Sequence, residues 1–270
     1  MWFYKMNYRI SLLIYILANI SIYASQVEIL STKNKNDIIK KINSLSKEDK
    51  LLLQNINRCD EKYFFNKDSI IFPINYQDNF IFSLFPQNLQ FLSEISKLIF
   101  VDQEYQVFVA YSYGKIVNWG AVNSGKKSTP TPEGLYFVNW RHPRKISSID
   151  PNWILRFNVN IDDKEGIGFH QFAMPGYPAS HSCIRLFREN AYWLYNWVDL
   201  WKVAPGFVIL NRGTPVIIFG KGTEFYRNKL YQIYRDNKKR DEDFLKAIYL
   251  KYSNKIMINQ QIMKSNLEKK

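Results

Sequence analysis

Residues 178–186 read PASHSCIRL, and they hold one of only two cysteines in a chain of 270 residues. Cys183 follows Ser180 by three positions and His181 by two. A cysteine in such a setting is buried filler, half of a disulfide, a metal ligand or a nucleophile, and each option predicts different surroundings. A nucleophilic cysteine acts as thiolate and needs help to ionise near neutral pH. The usual help is an imidazole within hydrogen-bond reach that takes the proton. The chain has three histidines, His142, His170 and His181, and two of them lie within 13 residues of Cys183. His181 sits two positions away on an extended segment, so it points the same way as the thiol at strand spacing and is poorly placed as its base. His170, in the strand-like GFHQF, can reach across the loop AMPGYPA, whose two prolines and glycine stiffen the return of the chain. Arg185 is the first permanently charged group after the thiol and suits a substrate carboxylate or a loop-holding role. His142, in NWRHPRK, has no such neighbours and reads as a surface or loop residue. Neither cysteine has metal-ligand spacing around it.

These side chains need strands to hold them, and the stretch from Ile99 supplies the pattern. Apolar residues alternate around Val107, Val109 and Tyr111, the chain turns at YGK, and alternation resumes from Ile116 to Val122, which predicts a hairpin. TPTPEGLYFVNW reads as a turn before a strand, WILRFNVNI and IGFHQF as two more strands, and GTPVIIFG as a late buried one. RENAYWLYNWVDLW is the one clear helix of this stretch, with apolar residues recurring at three and four. The fold class expected is therefore mainly β with few helices over 99–220.

Before this domain, the first residues carry Lys5 and Arg9 and then an uncharged apolar run from Ile10 to Ala24. A basic start, a short apolar stretch and a small final residue describe an export segment, assigned to 1–24, with an uncleaved anchor as its alternative. Export implies an exported, periplasmic or wall-associated protein, and it permits a disulfide between Cys59 and Cys183. Residues 25–98 form a small α/β region: NDIIKKINSLSKEDKLLLQNINRCD has helical spacing and DSIIFP is strand-like. LLLQNINRCDEKYFFNKDSIIFP resembles the second half of a LysM peptidoglycan-binding module, without a recognisable first half; a helical lead-in packed on the main domain is the other reading. Residues 221–270 form a basic tail, 13 basic against 6 acidic residues, with Phe244, Leu245, Ile248, Tyr249 and Tyr252 at helical spacing. The net charge of +13 suits an anionic partner, a cell wall or a membrane surface. No nucleic-acid motif is present, and the oligomeric state has no signature.

HQFAMPGYPASHSCIRL resembles the active-site signature of the L,D-transpeptidases, the YkuD-type catalytic domain, whose pattern is a His, a spacer, Ser/Thr-His-Gly-Cys, an apolar residue and Asn or Arg. VDQEYQVFVAYSYGKIVNWGAVNSGKKSTPTPEGLYFV resembles the opening of that domain, with a Gly-Lys turn, a Ser-Gly and a Thr-Pro-x-Gly in the same order, and GTPVIIFG its closing strand. The resemblance covers 99–220. It implies Cys183 as nucleophile, His170 as base, Ser180, His181 and Ser182 as oxyanion or site-lining residues, and Arg185 at the Asn/Arg position. Tyr177 and Trp140 are candidates for substrate contact, whereas the pair Lys126 and Lys127 reads as a solvated face. The sequence departs from the pattern at Ser182, where the family has Gly. The activity implied is a transpeptidase that forms 3–3 cross-links between peptidoglycan stem peptides through a thioester, with no metal or organic cofactor. An L,D-carboxypeptidase that trims tetrapeptide stems and a non-catalytic wall-binding protein are the alternatives.

Overall fold

The computed structural model describes residues 26–225 and 227–268; the export segment expected over 1–24 lies outside them. No helix among the described residues is long and apolar enough to cross a membrane. The described residues form thirteen strands, and two sheets carry the site. The five-stranded sheet has the order β5 (Lys115–Ala121), β4 (Val107–Ser112), β3 (Leu98–Asp102), β13 (Pro215–Phe219), β6 (Gly134–Phe137). The four-stranded sheet has the order β10 (Ile184–Leu186), β9 (Ile167–Gln171), β8 (Ile154–Asp162), β7 (Arg141–Ile146).

All five residues of β3 are buried, because both faces of its sheet are covered. Ile99 and Val101 point into one core with Phe108, Val159, Ile167, Phe169 and Ile184, between the two sheets. Helix α3 (Arg188–Trp197) closes this core through Ala191 and Leu194. Leu98 and Phe100 point into a second core on the opposite face. There the cover comes from both ends of the chain: Leu52, Ile56 and Phe82 from before the sheet, Leu230, Leu245 and Ile256 from after it.

The helical pattern before the sheet divides into α1 (Lys35–Asn43) and α2 (Lys47–Asn57), because Ser46 breaks it and caps α2, its hydroxyl accepting from Asp49 N. Strands β1 (Val27–Ser31) and β2 (Ser69–Pro73) pair antiparallel, so this unit runs strand, helix, helix, strand. The tail is helical, as its spacing predicts: α4 (Arg227–Arg235), α5 (Glu242–Leu250) and α6 (Ser253–Glu268). Arg240, between α4 and α5, donates from Nε to Asp102 Oδ2 at 2.7 Å and from Nη2 to Glu104 Oε2 at 2.9 Å. The boundaries expected at 98/99 and 220/221 thus fall inside one shared core. A short ribbon of β11 (Lys202–Ala204) and β12 (Val208–Asn211) lies where the sequence predicts nothing.

Candidate active site

β9 and β10 pair in parallel, with Phe169 opposite Ile184 and His170 opposite Arg185. Alternation sends Phe169 and Ile184 into the core, so His170 and Arg185 share the other face. Cys183 stands one residue before β10. Cys183, His170, Arg185, Ser180 and His181 line one small pocket of about 30 Å³. Its remaining wall comes from Phe172 and from Ser147, Ile149, Trp153 and Leu155 of the β7–β8 hairpin.

The loop that carries Cys183 is held from below by the segment 123–131. Ser124 O accepts from Ala179 N and Ser180 N, Ser180 O accepts from Lys126 N, and Thr129 O accepts from Ser182 N at 3.1 Å. Thr131 Oγ1 donates to Ser182 O, and Gly125 N donates to Thr131 Oγ1. Gln106 exchanges two hydrogen bonds with Ser124 through its amide. The Ser-Gly and Thr-Pro motifs noted in the sequence, with Gln106 beside them, are therefore the cradle of the cysteine loop. The N-terminal unit holds the same loop from its other end. Asp60 accepts from Met174 N through Oδ2 and donates from its own N to Met174 O, both at 2.8 Å.

Ser182 has φ +74°, in the left-handed region that explains the family's glycine at this position. Its N–H is committed to Thr129 O, which corrects the expectation that Ser182 supplies an oxyanion donor. Ser180 is buried and its hydroxyl donates to Cys183 O. His170 Nδ1 lies 3.2 Å from Gln171 O. A carbonyl only accepts, so the proton is on Nδ1 and Nε2 carries the lone pair. Burial first, then the charges of Arg185 and Lys145, together lower the His170 pKa to about 4 against the opposing Gln171 bond. Burial also raises the Cys183 thiol, partly offset by a backbone hydrogen bond from Gly168 and by Lys145 and Arg185. Burial thus favours the neutral form of each group, and the S–H points to Gly166 O at 3.5 Å.

Arg185 stacks its guanidinium 4.7 Å from the Phe172 ring and donates from Nη1 to Ala173 O. His181 Nε2 lies 3.0 Å from Lys126 Nζ. The structure does not bring Tyr177 to the pocket: it is 54% exposed, with Lys67 Nζ 5.7 Å from its ring. Trp140 likewise stays outside the pocket lining, donating from Nε1 to Asp163. His142 lies exposed on β7, where its Nδ1 accepts from Arg144 N. Cys59 is buried beneath Gly176, and no disulfide joins it to Cys183. Among the described residues no three His, Cys, Asp or Glu side chains converge as metal ligands. Sequence reasoning missed the hairpin wall, for which Trp153 gave no spacing signal, and it set Lys126 aside as a solvated charge.

Two packed β-sheets with a histidine on one strand and a cysteine just before the parallel strand beside it, both lining one pocket with Arg185, are the class that fold and site define. Residues 96–218 match the YkuD family model, the L,D-transpeptidase catalytic domain, over slightly less than half of the chain. Among solved structures, an L,D-transpeptidase (Yku) from Stackebrandtia nassauensis is 20% identical, with 46% of this chain aligned to 56% of that one at a TM-score of 0.37. An L,D-transpeptidase from Mycobacterium smegmatis is 21% identical, with 46% aligned to 59% at 0.37. A mutant L,D-transpeptidase from Enterococcus faecium is 25% identical, with 46% aligned to 50% at 0.36. The chain spans between half and three-fifths of the length of these structures. A comparison with curated proteins finds no match.

Proposed function

We propose that this protein is an exported cysteine acyltransferase of peptidoglycan, an L,D-transpeptidase that joins stem peptides by 3–3 cross-links. The observation that carries the reading is the convergence of Cys183, His170 and Arg185 on one pocket, within the stretch that matches the family model. With burial favouring the neutral thiol and the neutral imidazole, the thiol proton passes to His170 Nε2 as Sγ attacks the carbonyl of the third stem residue. The tetrahedral oxyanion is held by backbone N–H groups, with Cys183 N–H the candidate left by the commitment of Ser182. The C–N bond to the terminal D-alanine then breaks, the leaving amine takes the proton from His170, and a thioester remains. An amine of a second stem attacks it, His170 receives and returns the proton, and the free thiol is restored. The N-terminal strand–helix–helix–strand unit is read as a wall-contacting element, and the basic tail favours the same anionic surroundings.

Mass spectrometry of tetrapeptide stems incubated with the protein tests this. The expected product is a dimer lighter than two donors by one D-alanine, and Cys183→Ala should abolish it. Tripeptide alone at the highest acceptor concentration would replace the transpeptidase with an L,D-carboxypeptidase, and turnover by the alanine variant would sink the nucleophile. N-terminal sequencing of the exported protein, with a start near Ser25 expected, tests the export reading.

A further inference from the structure

Four consecutive apolar residues stand in solvent on the ribbon of β11 and β12. Phe207, Val208, Ile209 and Leu210 are 91%, 59%, 41% and 49% exposed, and Val203, opposite Ile209, is exposed beside them. Successive strand residues point to opposite faces, so neither face of β12 is fully covered along this stretch. Phe207 completes the turn after Pro205 and Gly206 at φ +60°, a left-handed conformation that costs a bulky side chain more than Gly or Asn. Singly exposed apolar residues are ordinary, but a contiguous run marks a surface that meets something.

Helix α6 extends this surface. Its Ile258 and Ile262, one turn apart and both exposed, line a groove of about 610 Å³ together with Ile209 and Leu210. Asn259 ties the helix to the ribbon, accepting from Arg212 N at 2.8 Å and donating to Arg212 O at 3.1 Å. Arg212 and Lys255 line the same groove, and Lys202 and Lys264 line a second one that also borders Asn211. Residues 200–223 and 251–267 contain no Asp or Glu. Among the described residues, the one carboxylate lining either groove, Asp199, is paired with Lys97 at 2.7 Å.

These charges choose the occupant. A second copy of the chain would set the cations against their own kind across a self-complementary contact. A wall polyanion would meet the cations and leave Phe207 to Leu210 in water. An anionic lipid surface satisfies both, its headgroups taking the cations and its acyl boundary the apolar tip.

We infer that the β11–β12 ribbon is a membrane-docking element: the tip from Phe207 to Leu210 enters the boundary between headgroups and acyl chains of an anionic bilayer, while Lys202, Arg212, Lys255 and Lys264 meet lipid phosphates. The insertion is shallow, because a two-stranded ribbon keeps backbone groups on its outer edges that need water. The net charge alone suits wall and membrane equally, and the apolar ribbon among the cations is what selects the membrane. The inference uses none of the residues of the candidate active site and stands apart from the transpeptidase reading.

Photocrosslinking of the full chain with p-benzoylphenylalanine in place of Phe207 tests the docking, with the same replacement at Ile74, another exposed apolar residue, as the control. With vesicles of phosphatidylglycerol and phosphatidylcholine in equal parts, mass spectrometry should find lipid joined to position 207 and not to position 74. Vesicles of phosphatidylcholine alone should give less than about a tenth of that adduct, since each cation near an anionic leaflet strengthens binding roughly fivefold. Lys202→Gln combined with Lys264→Gln should lower the adduct on the charged vesicles by a similar factor, and added salt should lower it too. Residues 1–24 are common to every chain compared, so they do not contribute to these differences. Equal labelling at 207 and 74, equal labelling on charged and neutral vesicles, an adduct from 207 to a second copy instead of lipid, or one to purified peptidoglycan with none to lipid overturns the proposal. Cys183→Ala, which tests the nucleophile, should label as the wild type does, so the two readings fail separately.

Discussion

Ser182 and His170 are each held in a state that their residue types resist. A side chain in the left-handed region costs about 1–2 kcal/mol, and Ser182 adopts it at φ +74° because its N–H and C=O are both fixed by the 129–131 segment. Ser182→Gly should therefore stabilise the protein by about 1 kcal/mol, a rise in Tm of roughly 2–4 °C for a chain of this size. An unchanged or lower Tm in a thermal melt would show that the serine is not strained. His170 is buried as the neutral imidazole, its pKa lowered to about 4 from an unfolded value near 6.5. The unfolded chain binds the proton more readily, so the stabilisation is complete above that unfolded value and is lost as the pH falls towards 4. The loss should reach about 3 kcal/mol near the lower end of that window. Urea titrations of wild type and His170→Gln across the window should show the variant with the flatter profile; parallel profiles would place the acid sensitivity elsewhere.

The segment 123–131 shows how an element without regular structure positions the site. A Cβ on Gly125 would stand 2.2 Å from Thr129 O and 2.5 Å from Thr131 N, so Gly125→Ala must open the turn that holds Ser180 and Ser182. It should cost more than about 2 kcal/mol and slow iodoacetamide labelling of Cys183, read together by chemical denaturation and mass spectrometry. Wild-type stability with wild-type labelling would show that the turn accommodates the methyl. The motifs of this turn were legible in the sequence because they are local and ordered, and so were β4, β5 and α3, whose periodicity is written in consecutive residues. β7, the β11–β12 ribbon and β1 were not: RHPRKI alternates no apolar residues, VIL in β12 is exposed throughout, and β1 takes its place only by pairing with β2 some forty positions away. In the site, residue type and spacing singled out Cys183 and His170 as candidates, and the family resemblance implied their roles. Lys126 was not, since only the fold decides whether a lysine faces water or a ring nitrogen.

At the scale of the molecule, Arg58 marks where three parts of the chain meet. Its side chain is fully buried, donating from Nε to Tyr105 O at 2.9 Å and from Nη1 to Asn55 O and Tyr234 Oη, with the guanidinium 5.9 Å from the Trp119 ring. Arg58→Ala removes the side-chain donor from Tyr105 O and Tyr234 Oη and opens a cavity among them, so it should destabilise by about 3 kcal/mol or more. It should do so in a single transition, with near- and far-UV circular dichroism falling together in urea; a wild-type midpoint would make the junction dispensable. The shared core also dictates an order of events. A chain extruded one end first cannot close the core beneath β3 until Leu245 and Ile256 have emerged, and it cannot insert β13 between β3 and β6 until residues 215–219 have followed the cysteine out. Cys183 is thus synthesised before the core beneath β3 can close, and the sheet is completed only after the residues of the cysteine loop are already in place along the chain.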